Sequence, residues 1–431
     1  MTEHYSANIT PDSFSGLIFG FEGIQDTAVL LNGPSGCKFY HSATSETQFV
    51  RQDEFDPLHY PELWYFGQPR VPCTYLDKRD YVYGSQEKLT EAIRFLKDEV
   101  RFKLLVVVNS PGEALIGDDV SRIVKAQLPD TPVVTVETPG YSKYIWNGYE
   151  EACKALIHQL PVKATGRKKE RKSVNLLGLS IFHKYYEGDL REMTRLLDLC
   201  GVDVNCALCC TCTPEEILAL PDADLNLVVD PVYGLGTAQL LEKLYGTPYY
   251  SMGKLPVGFR AAETMMQEVC RLLGCDDARF VEESERCRAR AYVYLARIDS
   301  ITGLPKGAKF AVHGTSSQCL GFTEFLIHYF GMRADAVNVV PEEQPSDALR
   351  QLLAEVDMAE ALEKDVLDTE AELVFADGSV IAKLKARRHV FTGVEISLPM
   401  LGYIDVIPKT HLGLHGALLI CEEIINGLLY A

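Results

Sequence analysis

Residues 104–110 read LLVVVNS and residues 132–138 read PVVTVET: two short, β-branched apolar runs, each closing on polar residues, with room for a helix between them. A run that is apolar throughout yet only a few residues long marks a strand buried on both faces, as in a parallel sheet. The pattern returns as VNLLGLS at 174–180, VDVNCAL at 202–208, LNLVVDP at 225–231, KFAVHGT at 309–315, AVNVVPE at 336–342 and ELVFADG at 372–378. Between these runs lie segments of helical period, such as SQEKLTEAIRFLKDEV at 85–100. Strand and helix signals in alternation predict βαβ units and therefore an α/β fold with parallel sheets. The Gly, Pro, Ser, Thr or Asp that ends each run marks the loop at a strand's carboxyl end, where doubly wound folds bind ligands.

Two stretches interrupt the series, the basic KATGRKKERKS at 163–173 and DSITGLPKGAK at 299–309. They divide 431 residues, too many for one compact core, into three α/β layers at 1–165, 170–298 and 299–431. The basic stretch reads as a solvated linker.

Composition narrows the function. Apolar residues make up 47% and charged residues 24%, as in a folded globular chain. Lys and Arg total 42 against 60 for Asp and Glu, a net charge of −18, so attraction to nucleic acid phosphates is not expected. No apolar run is long enough to span a membrane, and the opening MTEHYSANITPDSF has no secretion-signal pattern, so the expected location is the cytoplasm. Neither GLGTAQ at 234–239 nor GLPKGAK at 303–309 completes a dinucleotide or phosphate-loop fingerprint, and ATP hydrolysis by the chain itself is not expected.

Thirteen cysteines without an export signal point away from a disulfide framework and toward metal or iron–sulfur ligation by some of them. Cys153, Cys200, Cys270, Cys275, Cys287 and Cys421 stand singly in helix-like stretches and read as small buried hydrophobes. Cys37, in the GPSGCKFYHS turn at 33–42, and Cys73, in RVPCTYLDKRDYVYG at 70–84, sit instead in loops. The Gly-rich turn lets backbone approach a bulky group, and Pro72 sets Cys73 at the end of an extended segment. Two thiolates cannot complete the four-Cys ligation of a cubane cluster, so other ligands or a second chain are required. CALCCTC at 206–212 gathers Cys206, Cys209, Cys210 and Cys212 at a strand's carboxyl tip. That cluster reads either as a metal or redox site or as a buried strand end that tolerates cysteine. In SPGEALIGDD at 110–119 the Asp pair is placed to cap a helix, and His411 and His415 flank the start of an apolar C-terminal helix.

These segments carry a resemblance. GPSGC at 33–37, DYVYGSQEKL at 80–89, SPGEALIGDD at 110–119, LNLVVDPVYGLGTAQLLEKLYGTPYY at 225–250, SLPMLGY at 397–403 and HLGLHGALLICEEIINGL at 411–428 follow the order and spacing of the nitrogenase component 1 family. That family comprises molybdenum–iron protein subunits, cofactor-assembly scaffolds and dark-operative tetrapyrrole reductases. The resemblance implies three Rossmann-like domains around a central cavity. It also implies an ATP-hydrolysing iron protein as electron donor, an iron–sulfur cluster that bridges two subunits, and a reduction site among the domains.

Departures from the family pattern shape the expected site. The family's bridging-cluster cysteines fall near Ile9, on Cys37 and at the strand end where Ser110 stands, and here only Cys37 is a cysteine. An eight-iron cluster is therefore not expected. Cys73 is the expected second thiolate, and two chains sharing Cys37 and Cys73 would supply four thiolates for one 4Fe-4S cluster at a two-fold interface. The position of the family's cofactor cysteine reads Asp230, whose hard oxygen is a poor ligand for a sulfur-rich cluster, so the iron–molybdenum cofactor is not expected either. His183 and Asp230 are the candidate catalytic residues, with Cys206, Cys209, Cys210 and Cys212 as candidate ligands of a second metal centre. The expected activity is a nitrogenase-like reductase that works as a homodimer or with a homologous subunit. The alternative is a scaffold that assembles a metallocofactor without turnover.

Overall fold

The computed structural model describes residues 11–37, 71–137, 143–166, 170–341, 343–387, 389–399 and 407–430. The strands are β1 (Thr27–Asn32), β2 (Leu104–Asn109), β3 (Val133–Val136), β4 (Lys172–Leu177), β5 (Val202–Ala207), β6 (Leu225–Val228), β7 (Tyr249–Ser251), β8 (Lys309–Gly314), β9 (Arg333–Val339), β10 (Leu373–Asp377) and β11 (Thr392–Ser397). They form three sheets, ordered β1-β2-β3, β5-β4-β6-β7 and β11-β10-β8-β9. Every pairing within them is parallel. All eight apolar runs are strands, and β2 and β6 are buried at every residue, which their unbroken apolar sequence requires.

Three strands carried no readable signal. β1 has only four apolar residues in a row between polar neighbours, β7 is a three-residue edge, and β11 contains Glu395. Glu395 is 1% exposed and faces Lys184, 5% exposed, at 3.9 Å. A charge buried in this way breaks the apolar pattern by which strands are recognised.

The helices are α1 (Ser13–Glu22), α2 (Gln86–Glu99), α3 (Val120–Gln127), α4 (Ile145–Gln159), α5 (Tyr186–Leu199), α6 (Pro231–Tyr245), α7 (Phe259–Leu273), α8 (Ala278–Thr302), α9 (Ser316–Phe330), α10 (Asp347–Glu355), α11 (Gly378–Ala386) and α12 (Gly413–Tyr430), with shorter turns between. α2 buries Leu89, Ile93 and Leu96, one stripe at helical spacing, against the first sheet. Asp119 caps α3 by accepting the Arg122 N–H at 2.9 Å, the role its sequence position suggested. None of these helices is long and apolar enough to cross a membrane.

The two ends of the chain cross between layers. α1 packs on α4, and α12 packs on α5, α7 and α8. α12 begins with its N–H groups turned into the protein, and Glu192 of α5 satisfies them: Oε1 accepts from Leu414 and His415 N–H, each at 3.0 Å. Arg195 grips the same carboxylate at 2.8 and 2.9 Å, and His415 Nδ1 lies 3.1 Å from Oε2. Burial pushes the Glu192 carboxyl up, but the His415 and Arg195 hydrogen bonds and charge outweigh it and hold it at about 2. Because the folded value lies below the ordinary 4.5, the stabilisation is complete above about pH 4.5 and is lost as pH falls toward 2. Glu192→Gln is expected to cost about 3 kcal/mol at neutral pH. Urea melts of both proteins across pH should show that difference shrinking below pH 4.5, and a pH-independent difference would contradict the assignment.

Candidate functional site

The first site lies at the carboxyl end of the β1-β2 pair. Asn32 and Asn109 stand opposite each other in register, and the Asn32 amide donates to Asn109 Oδ1 at 3.2 Å. Residues 72–76 run alongside the end of β1, with Leu31 N–H donating to Pro72 O, Thr74 N–H to Leu31 O and Leu76 N–H to Gly33 O. That pairing carries Cys73 to the GPSGC turn from forty residues away, and its thiol donates to Gly33 O at 2.9 Å. Tyr75 N–H points at the Cys73 sulfur at 3.4 Å. Gly33 permits the crowding: a Cβ there would lie 2.6 Å from Ser110 Cβ.

Tyr81 closes the cluster. Burial raises its phenol above the ordinary value; Ser110 hydrogen-bonds it, and Cys37, Glu113 and Cys73 are within electrostatic reach. Behind them Glu113 is fully buried, and that burial lifts its carboxyl to about 7. The Ser85 hydroxyl lies 3.0 Å from Glu113 Oε1 and 2.9 Å from Asp118 Oδ2, and one hydroxyl proton cannot serve both acids. The rim is apolar and exposed, with Val82 at 73%, Tyr83 at 82% and Leu115 at 88%. Cys37 stands in the first turn of a helix at 35–37 rather than in the expected loop, and Cys73 in an extended segment beside β1. Two soft sulfur donors at a sheet edge, too few for one chain to close a cluster and with exposed apolar side chains nearby, fit an iron–sulfur cluster shared with a second subunit. The DYVYG motif by itself gives Tyr81 no role; its place in the site depends on the turn that folds it back over Ser110.

The second site lies between the second and third sheets. A cavity of about 120 Å³ is lined by Tyr144, Trp146, Phe182, His183 and Tyr233 on one side and by Thr315, Gln318 and Asp377 on the other. It shares Pro11, Val340, Asp377 and Leu398 with a neighbouring lobe of about 720 Å³, where His313 Nδ1 lies 3.1 Å from Asp377 Oδ2. His183 is therefore on a cavity wall. Its ring sits edge-on between Phe182 and Tyr233, each 4.8 Å away, and Ser180 N–H points at Nδ1 from 3.4 Å. Asp230 stands behind that wall. It caps α6 by accepting the Val232 N–H at 3.0 Å, and burial raises its carboxyl to about 7. Thr315 and Asp377 end the runs KFAVHGT and ELVFADG, so their strand-tip positions were the available signal for this wall.

Burial lowers His183 to about 4, leaving a neutral imidazole at pH 7. The folded value lies below the ordinary 6.5, so stability is full above about pH 6.5 and declines as pH falls toward 4, where the unfolded chain takes the proton first. His183→Phe should flatten that slope, and a ring titration by NMR should centre near 4. A midpoint at 6.5 would mean the ring is not enclosed.

CALCCTC runs from the last two residues of β5 into the turn that follows, and none of its residues lines the cavity. Cys206, Cys209, Cys210 and Cys212 are all buried, and Cys209 and Thr211 have left-handed backbone angles of 58° and 63°. Thr211 N–H donates to Gly23 O and Gln25 N–H to Cys212 O, each at 2.7 Å, which docks the turn on the end of α1. The Cys153 and Cys209 sulfurs are 3.7 Å apart, and Cys206 hydrogen-bonds Cys212. The sulfurs form two pairs rather than one converging set. Among the described residues no group of three or more His, Cys, Asp or Glu side chains is arranged to hold a metal ion.

Three parallel sheets, each flanked by helices, define an α/β protein of three Rossmann-like layers. The family described as nitrogenase component 1 type oxidoreductase matches residues 13–429, and the chain belongs to it. A light-independent protochlorophyllide reductase subunit of Methylobacterium radiotolerans is 25% identical over 373 residues, covering 84% of this chain and 69% of that protein. The corresponding protein of Methylocella silvestris is 24% identical, covering 75% and 63%. The chain thus spans about two thirds of the length of these relatives. The solved structure of nitrogenase Cp1 at pH 6.5 superposes with a TM-score of 0.78 at 18% identity, covering 100% of this chain and 95% of that one, so the fold is shared. Nitrogenase Cp1 at pH 5 gives 0.71.

Proposed function

We propose that the chain is the electron-accepting component of a nitrogenase-like reductase, in which Cys37 and Cys73 hold one edge of an iron–sulfur cluster shared with a second subunit. When bound, such a cluster would supply one-electron storage and transfer. The observation that carries the reading is the pairing of residues 72–76 with the end of β1, which brings Cys73 onto Gly33 of the turn that leads to Cys37, next to an exposed apolar rim. Gly33 O and Tyr75 N–H orient the Cys73 sulfur, and the Asn32–Asn109–Thr74 hydrogen bonds tie the end of β1, from which the chain turns to Cys37, to the segment that carries Cys73. The second subunit is a copy of this chain or a homologue, and it supplies the remaining ligands.

The substrate side is the cavity between the second and third sheets. Its aromatic wall suits a flat organic molecule, and neutral His183 can orient one by hydrogen bonding without adding charge. The similarity to light-independent protochlorophyllide reductase supports an organic substrate over dinitrogen, as does Asp230 in place of a soft ligand. Membership of the family implies a separate ATP-hydrolysing iron protein as electron donor, and the lack of a complete phosphate-loop fingerprint in this sequence fits that division of labour. Reduction should then require both MgATP and the iron protein over many turnovers. A single stoichiometric release of a bound cofactor would favour the assembly-scaffold reading, and ATP hydrolysis by the purified chain alone would overturn the division of labour.

A further inference from the structure

Three thiols that neither site uses meet at the far side of the second layer. Cys200 ends α5 and is 4% exposed, and Cys270 lies in the last turn of α7 at 5%. Cys275 follows the end of α7 and is half-buried. The chain reverses there: Gly274 and Cys275 N–H both donate to Cys270 O, the latter at 3.0 Å, which folds Cys275 back over the end of its own helix. The Cys200 thiol hydrogen-bonds the Cys270 sulfur, and Cys275 lies within electrostatic reach of both. The three sit at helix ends, the parts of a helix that yield most readily.

We propose that Cys200, Cys270 and Cys275 form a thiol–disulfide exchange site, in which Cys275 reacts first with a small oxidised disulfide and a Cys200–Cys270 disulfide is the end product. In the first step the Cys275 thiolate attacks the disulfide RSSR, forming Cys275–S–S–R and releasing one RS⁻. Cys270 then attacks the Cys275 sulfur and expels the second RS⁻. Cys200 finally attacks Cys270, forming the Cys200–Cys270 bond and returning Cys275 as a thiolate. The two protein thiol protons go to the two RS⁻ groups, so one RSSR and two protein thiols become one protein disulfide and two RSH. The hydrogen bond from Cys200 holds the Cys270 thiol below its ordinary value, which suits it as the second attacker, while burial raises Cys275, so exposure rather than acidity makes Cys275 the first to react. The product fastens the end of α5 to the end of α7.

The same structure holds an internal control. Cys153 and Cys209 bring their sulfurs to 3.7 Å but are 1% and 0% exposed, with no half-exposed thiol among their cysteine neighbours Cys206, Cys210 and Cys212. If access decides the chemistry, that pair stays reduced while the α5–α7 pair oxidises.

The experiment is anaerobic incubation of the full chain with oxidised glutathione, then differential alkylation and peptide mass spectrometry. The expected result is a Cys200–Cys270 disulfide with Cys153 and Cys209 still alkylated as thiols. Cys275→Ser should slow its formation by about tenfold or more, and Cys200→Ser should stop the sequence at Cys270–Cys275. Cys200 and Cys270 remaining thiols in the unaltered chain would overturn the proposal, as would oxidation of both pairs at one rate or an unchanged rate in Cys275→Ser. Because the readout is made peptide by peptide, the outcome is independent of iron content and of reductase activity.

Discussion

Cys37→Ala is expected to remove the bound iron and visible absorption of the chain and to lower reductase turnover by more than the roughly 10–100-fold that losing a residue that merely orients a metal ligand costs. The fold should survive, because Cys37 is only half-buried in the first helical turn beyond β1, where it packs on the margin of a core whose buried residues are others. Cys73→Ala should have the same effect on iron, with some added loss of stability, since Cys73 is buried and its thiol donates to Gly33 O. Iron analysis, absorption and a thermal melt on one preparation separate these outcomes. Normal iron in Cys37→Ala would sink the cluster assignment. Loss of iron in Cys37→Ala alone would move the second ligand to Ser110 or to the partner subunit.

The largest stability effect is expected at the contact of α1 with α4. Helices normally pack with their axes 8–10 Å apart, and closer approach requires residues without side chains at the crossing. Here Gly16 and Gly20 of α1 face Gly148 and Ala152 of α4. A Cβ built on Gly148 would fall on the carbonyl oxygen of Ser13, and one on Gly16 would fall on that of Ile145. Both obstacles are backbone, so no side chain can swing aside. Gly148→Val must push the helices apart, at a cost of about 3 kcal/mol or more. Gly20→Ala meets only Ala152 Cβ at 2.7 Å and should cost less, about 1–2 kcal/mol. Because Gly23 and Gln25 also anchor the CALCCTC turn, Gly148→Val should expose Cys209 and Cys212 to alkylation as well. A urea midpoint equal to that of the unaltered chain would refute this packing.

The division of labour between sequence and tertiary structure follows from the range of the interactions involved. Local pattern sufficed for the parallel α/β class and for eight of the strands, because an apolar run of strand length can be buried on both faces only in such a sheet. It also sufficed for the Asp119 cap, whose acceptor and donor lie three residues apart. Cys73 was legible as a loop cysteine, but its approach to Gly33 depends on forty residues of intervening chain and on a backbone pairing that no spacing encodes. The burial of Glu395 opposite Lys184 hid β11, since a charge in a strand is intelligible only once its partner is known. The four cysteines of CALCCTC looked alike in sequence. Tertiary structure separated them: Cys206 meets Cys212, Cys209 meets Cys153 of α4, and Cys210 joins neither pair, because left-handed turns at Cys209 and Thr211 and the docking of α1 shape the turn that carries them. The glycines of α1 and α4 looked like weak helix formers, and only the close crossing of two helices distant in sequence gives them a reason to be there.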